Sequence, residues 1–165
     1  MMMNKFAIVF PGQGSQSVGM IADLAVLHPE VINIFSQASE VLGYDLWDLV
    51  QNGPADKLNQ TVYTQPALLV ASIAVWEIFK KINPNITPSV LAGHSLGEYT
   101  ALVAAQSLAF TDAVNLVAAR GRFMAEAVPK DMGAMAAVLG IDDNKIIKGG
   151  YYSDCRITKT SSPQV

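Results

Sequence analysis

Ser95 stands at the centre of Gly93-His94-Ser95-Leu96-Gly97, a G-x-S-x-G pattern. A serine hydroxyl serves as an acyl-accepting nucleophile when a tight strand-to-helix turn presents it with a backbone N–H nearby for the developing oxyanion. The flanks fit that context. Ser89–Ala92 reads as a short buried strand, and Glu98–Ala105 as a good helix former. Gly93 and Gly97 would let the two backbones approach with no Cβ between them. The oxyanion donor is then the Leu96 amide, at the positive end of the helix. The competing reading is a glycine-bounded turn in which Ser95 only caps the helix; a strand before it and a helix after it favour the nucleophile. A second loop, Pro11-Gly12-Gln13-Gly14-Ser15-Gln16, flanks Gln13 with two glycines. Its backbone can approach a ligand and its amide can donate, although an ordinary turn accounts for the glycines equally well. A serine nucleophile also needs a base, and the chain has two histidines, His28 and His94. His28 falls at a helix end or loop. His94 is adjacent to Ser95, where neighbouring side chains leave a strand end in different directions. Neither is expected to take the serine proton.

The elements that would position these residues alternate strand and helix. Phe6–Phe10 is a continuous apolar run, read as a central parallel strand buried on both faces. Pro29–Leu42 carries apolar residues at helical spacing and stops at Gly43. Asp45–Val50 makes a turn or two around Trp47, Asn52-Gly53-Pro54 breaks it, and Ala55–Leu58 is another short piece. Thr64-Gln65-Pro66 is expected to open a long helix to about Ile82, with Pro66 in the first turn. From Ala67 to Phe79 that helix is apolar nearly all round, which predicts burial on most sides, and this stretch is short for a bilayer. A later helix starts near Phe110 with Thr111 or Asp112 as cap and runs to Val128, carrying Arg120, Arg122 and Glu126. Gly133–Leu139 reads as a strand and Asp142-Asp143 as a helix start. From Gly149 the pattern loses both periodicities.

Composition narrows the classes. The 165 residues make one domain or a piece of a larger one; 51% are apolar and 15% charged, which suits an α/β protein with a well-covered core. A net charge of −3 and no basic run argue against nucleic acid and against a polybasic membrane contact. No apolar run reaches the ~18 residues of a membrane span, and the start lacks a signal-peptide pattern. The single Cys155 excludes an internal disulfide framework. A cytoplasmic protein is the default.

With these motifs placed, the chain resembles the malonyl-CoA:acyl carrier protein transacylases. The likeness runs from about Phe6 to Asp143. It rests on Phe10-Pro11-Gly12-Gln13-Gly14-Ser15-Gln16, Tyr63-Thr64-Gln65-Pro66-Ala67, Gly93-His94-Ser95-Leu96-Gly97-Glu98, Arg120-Gly121-Arg122-Phe123-Met124 and Gly133-Ala134-Met135-Ala136-Ala137, in that order. The resemblance implies an α/β-hydrolase-like acyl transferase core over residues 1–128 and the start of an inserted ferredoxin-like subdomain over 129–148, with an atypical tail at 149–165. It implies a ping-pong transfer in which Ser95 holds malonyl from malonyl-CoA as an oxygen ester, then passes it to the phosphopantetheine thiol of acyl carrier protein. Gln13 and Leu96 match the oxyanion donors, where losing one donor costs ~10²–10³ in rate. Arg120 matches the residue that clamps malonate's free carboxylate, a job suited to a guanidinium's paired donors; without the match it would read as a solvated helix arginine. Neither metal nor cofactor is implied, and the family's default is a monomer. Arg122, Lys130 and Lys80 are candidates for an acidic carrier surface, although each also reads as a solvated charge.

The family's histidine base comes from a segment that would follow residue 165, so the resemblance implies a C-terminally incomplete chain. A reading-frame disruption near Lys148 would account for the tail; so would a divergent or shortened chain. Two readings of function stay open: the family enzyme represented by its N-terminal part, and a non-catalytic remnant lacking the base. A serine esterase on the same turn is a third, without support from the other blocks. Residues 1–165 by themselves are expected not to turn over malonyl-CoA.

Overall fold

The computed structural model describes residues 6–127; the expected strand at Gly133–Leu139, the helix start at Asp142-Asp143, Lys130, the boundaries at 128 and 148 and the tail from Gly149 lie outside them. Strand β1 (Ala7–Phe10) leads into helices α1 (Ala22–Leu27), α2 (Glu30–Leu42), α3 (Leu46–Asn52), α4 (Ala55–Leu58) and α5 (Thr61–Ile82). Strand β2 (Val90–Gly93) follows, then α6 (Leu96–Ala104) and α7 (Phe110–Glu126). The two strands pair in parallel, with Ala7 opposite Val90 and Phe10 opposite Gly93. The result is a mixed helix-and-sheet architecture with a helical crossover between parallel neighbours, as parallel pairing requires.

Helix α5 is the axis of the core. It packs against α2, α6 and α7, and Leu69, Val70 and Ala74 are fully buried along it. Its neighbours contribute Val31 and Phe35 from α2, Leu46 and Val50 from α3, and Val114 and Val117 from α7. Burying one such side chain contributes about 1.5–3 kcal/mol. Tight caps stop and start the surrounding helices. Gly43 closes α2 at φ 75°, in the left-handed conformation a C-cap favours, and the Asp45 carboxylate accepts from the Asp48 N–H to start α3. At the far end of α5, Lys81 is hydrogen-bonded to Glu30 on α2 and holds that carboxyl below its usual range. The pair is a surface contact of small energetic weight.

Four expectations are revised. Helix α5 begins at Thr61, so Pro66 lies inside it rather than in the first turn. Proline removes one backbone donor there, and side chains hold the preceding turn helical: the Thr64 hydroxyl is 2.6 Å from the Leu58 carbonyl and 3.0 Å from that of Gln60. The full 22-residue helix is therefore long and apolar enough to cross a membrane, but 67% of its most apolar window is buried among the other elements, which is the environment of a core helix. Helix α7 is entered from extended Ala109 with no side-chain cap, because Phe110 already begins the helix and leaves Thr111 and Asp112 inside it. Neither strand is buried on both faces: Val9 is 71% exposed and Val90 54%, since each strand has one partner among the described residues and only part of the sheet is covered by helix.

Phe35 packs edge-on against Trp47, with ring centroids 4.9 Å apart, and is completely buried. Phe35→Ala is expected to lower stability by about 3–5 kcal/mol, read as a fall in the urea midpoint. An unchanged midpoint would mean that this joint between α2 and α3 carries no weight.

Candidate active site

Parallel register decides where the chemistry gathers. Because Phe10 lies opposite Gly93, the loop after β1 and the turn after β2 leave the sheet at the same end. In open parallel sheets, ligands bind outside the carboxyl ends of the strands. Gln13 and Ser95, 82 residues apart in sequence, are thus delivered to one place.

The turn after β2 is extremely tight. A Cβ on Gly97 would sit 2.3 Å from the Phe10 carbonyl oxygen, and one on Gly93 would sit 2.0 Å from the Gly97 carbonyl. Only glycine lets helix α6 start directly against the end of β1. Ser95, caught between them, adopts φ 54° and ψ −109°, a conformation that costs a non-glycine residue about 1–3 kcal/mol and tends to persist at functional sites. It leaves Ser95 exposed while Leu96, the next residue, is buried. The Leu96 and Gln13 backbone N–H groups have no acceptor among the described residues, so both are free to serve a ligand.

A chain of hydrogen bonds ties the remaining candidates together. Arg120, half-buried on α7, donates from Nη2 to Ser95 Oγ at 3.0 Å and from Nη1 to Gln65 Oε1 at 2.7 Å. Gln65 Nε2 donates to Thr61 Oγ1 at 2.9 Å, and Thr61 Oγ1 donates to Gln13 Oε1 at 3.0 Å. The order of donors and acceptors is forced. Arginine only donates, so Gln65 must turn its oxygen to Nη1 and its nitrogen to Thr61, whose single proton then goes on to Gln13. The guanidinium also lies over the Tyr99 ring, 5.6 Å from its centroid. Close helix packing makes this reach possible. A Cβ on Gly121 would be 2.9 Å from both the Thr61 carbonyl oxygen and the Val62 Cα, so α7 and the start of α5 touch backbone to backbone beside Arg120.

Both histidines stay apart from the serine. His94 is exposed, and its ring lies beside Gly12, where an added Cβ would be 3.8 Å from Nδ1. His28 ends α1, 3.9 Å from the Glu30 carboxylate. Among the described residues, Ser95 Oγ has one side-chain partner, Arg120, and no three His, Cys, Asp or Glu side chains cluster as a metal site would need. The arrangement offers a presented hydroxyl, two unengaged backbone donors and a fixed cation 3.0 Å from the hydroxyl oxygen.

This geometry coincides with a family match over most of the chain: residues 7–161 fit the model described as "Acyl transferase domain". The chain belongs to the acyl transferase domain family. Among curated relatives of this acyl transferase domain, the malonyl CoA-acyl carrier protein transacylase of Haemophilus influenzae is 59% identical over 145 residues, covering 88% of this chain and 46% of the relative. The crystal structure of an acyl carrier protein S-malonyltransferase from Vibrio cholerae is 57% identical with a TM-score of 0.83, covering 88% and 47%. A complex of a type II polyketide-synthase acyl-carrier protein with its malonyl-transacylase matches at 53% identity and a TM-score of 0.83, covering 88% and 47%. The chain spans about half the length of the relatives it matches.

Gln65 and Thr61, to which sequence reasoning gave no role, link Arg120 to Gln13 in this acyl transferase domain. A signal was present. A glutamine at the head of an otherwise apolar helix must find a partner once buried, and Thr61 four residues earlier lies on the same face. Arg120 is no solvated surface charge, being engaged on both terminal nitrogens. Gly97→Ala is expected to destabilise the chain by more than about 3 kcal/mol, as overpacking against backbone does, while the exposed Arg122→Ala stays within about 0.5 kcal/mol. Equal midpoints for the two variants in chemical denaturation would contradict the close approach.

Proposed function

We propose that these residues form the acyl-loading part of a malonyl-CoA:acyl carrier protein transacylase. The observation that carries the reading is the Arg120 Nη2 donor, 3.0 Å from Ser95 Oγ. Malonyl places its free carboxylate two bonds from the thioester carbonyl. A cation adjacent to the nucleophile is therefore where that carboxylate falls when Oγ meets the carbonyl carbon. Arg120 presents a charged N–H donor there, of the class that binds a carboxylate most strongly. The unengaged Leu96 and Gln13 N–H groups suit the thioester oxygen as it gains charge.

In the first half-reaction the Oγ–C bond forms, the C–S bond breaks, and CoA departs as the thiol with the proton that leaves the serine. In the second, the phosphopantetheine thiol of acyl carrier protein attacks the ester and Ser95 regains its proton. Splitting the exchange lets two bulky carriers use one site in turn. The relatives' names and the structure of a transacylase with its carrier protein support this partner and direction. An α/β-hydrolase-like core, a ferredoxin-like insert beyond α7, a monomeric state and a cytoplasmic location belong to the same reading.

One observation favours a second reading for the chain by itself, a binder of malonyl-CoA without turnover: among the described residues no base is hydrogen-bonded to Ser95 Oγ. The test compares the 165-residue chain with a full-length protein made by placing residues 7–127 in the matching segment of the Haemophilus influenzae relative. Radiolabelled malonyl is expected to reach carrier protein through the chimera and not through the chain alone, and Ser95→Ala in the chimera should abolish transfer. A chimera that transfers malonyl without Ser95 would sink the nucleophile. Arg120→Ala is expected to lower kcat/KM for malonyl-CoA by about 100-fold with little change for acetyl-CoA. If malonyl preference survives that substitution, Arg120 is not the clamp.

A further inference from the structure

The relay from Arg120 to Gln13 runs through two side chains that touch neither Ser95 nor any position open to a ligand. Gln65 is completely buried and Thr61 is 8% exposed. Both lie in the first turns of α5, the helix whose remaining length fills the core. We infer that Gln65 and Thr61 are positioning residues that fix the acyl-group specificity of the site by locking the Arg120 guanidinium to the Gln13 loop. This rests on the reading of Arg120 as the carboxylate clamp.

The steps follow from donor and acceptor chemistry. Arg120 is anchored by one terminal nitrogen, Nη1, on Gln65 Oε1, and presents the other, Nη2, at Ser95. A carboxylate arriving beside Ser95 can take over Nη2 while Nη1 keeps its anchor, so the guanidinium need not be reordered when substrate binds. Charge-assisted hydrogen bonds of this kind are the stronger class. Gln65 can hold that orientation only while its nitrogen has an acceptor, which Thr61 Oγ1 supplies; Met124 Sδ, 3.3 Å from the same nitrogen, is a weak second contact. Thr61 can accept from Gln65 while donating its one proton to Gln13 Oε1. A flipped Gln65 amide would set Nε2 against the guanidinium, donor against donor, with no buried partner for either.

The opposite end of the relay is fastened as well. Gln16 Oε1 accepts from the Gly14 N–H, and Gln16 Nε2 donates to Asn59 Oδ1 just ahead of α5. The loop carrying the Gln13 N–H is therefore tied to the start of α5 at two points, and the clamp is tied to the same helix turn. The Gln16 contacts stay in place when Thr61 or Gln65 is changed, so cutting the relay falls on the clamp rather than on the placement of the thioester oxygen.

The test uses the full-length chimera carrying residues 7–127, with malonyl-CoA and acetyl-CoA as competing donors. Gln65→Leu should lower kcat/KM for malonyl-CoA by about 10- to 100-fold, mainly through KM, and change acetyl-CoA by less than about threefold. Thr61→Val, which contacts neither Arg120 nor Ser95, should move the malonyl-to-acetyl ratio in the same direction; Thr61→Ser, which keeps the hydroxyl, should restore it. The double variant Gln65→Leu with Thr61→Val should lose little more than Gln65→Leu alone, since both cut one relay. Losses that multiply, or equal losses for malonyl-CoA and acetyl-CoA, would reduce the pair to structural residues and overturn the inference. Arg120→Ala in the same assay separates the two levels. If it leaves the ratio unchanged, the clamp itself fails; if it collapses the ratio while Gln65→Leu and Thr61→Val do not, only the relay fails.

Discussion

The contact between Gly97 and the Phe10 carbonyl is the constraint on which the other geometry depends. Helix α6 can start where it does only because no side chain intervenes at that point. That start sets the direction of α6, forces Ser95 to a positive φ, and places the Leu96 N–H next to the loop that follows Phe10. Parallel pairing supplies the other half of the constraint by ending both strands at the same level. Neither a shifted register nor a larger residue at 97 would leave Gln13 and Ser95 facing a common space.

Polar groups at this site are held from the core side rather than from solvent. Arg120 reaches Ser95 across a helix pair in near backbone contact at Gly121, and its partner Gln65 is buried. A guanidinium held this way loses little freedom on meeting a carboxylate, because its plane is already fixed by one hydrogen bond and one aromatic face. Lys80, by contrast, is spent on Glu77 and the Trp76 ring, far along α5 from the serine.

Much of this was legible in the residues. Helix periodicity located α2 to within a residue, and Ala55–Leu58 coincides with α4, because glycine and proline punctuate those segments sharply. The strand–turn–helix around Ser95 was readable from G-x-S-x-G in its setting. What escaped was tertiary. Pro66 signals a helix start by local rule, yet the turn before it is kept helical by Thr64 and by packing against α7, neither of which is visible in a window of sequence. The cap expected at Thr111 or Asp112 failed because Phe110 packs into the core and draws the helix start back to itself. The relay joins residues 13, 61, 65, 95 and 120; no local pattern spans such distances, so Gln65 carried no role of its own beyond its motif block and Thr61 fell ahead of the expected helix start.

The burial of Gln65 in α5 also bears on how such a site can drift. Side chains at the rim of a pocket can be exchanged one at a time, with little effect on folding. Gln65 lies in the helix that organises the core, next to a proline and against α7, so a change there alters packing and polar pairing together. Lineages that retune which acyl group is accepted would then need compensating changes at Thr61, Arg120 or Met124 in the same period. Through that one buried amide, the evolvability of the pocket is coupled to the evolvability of the core.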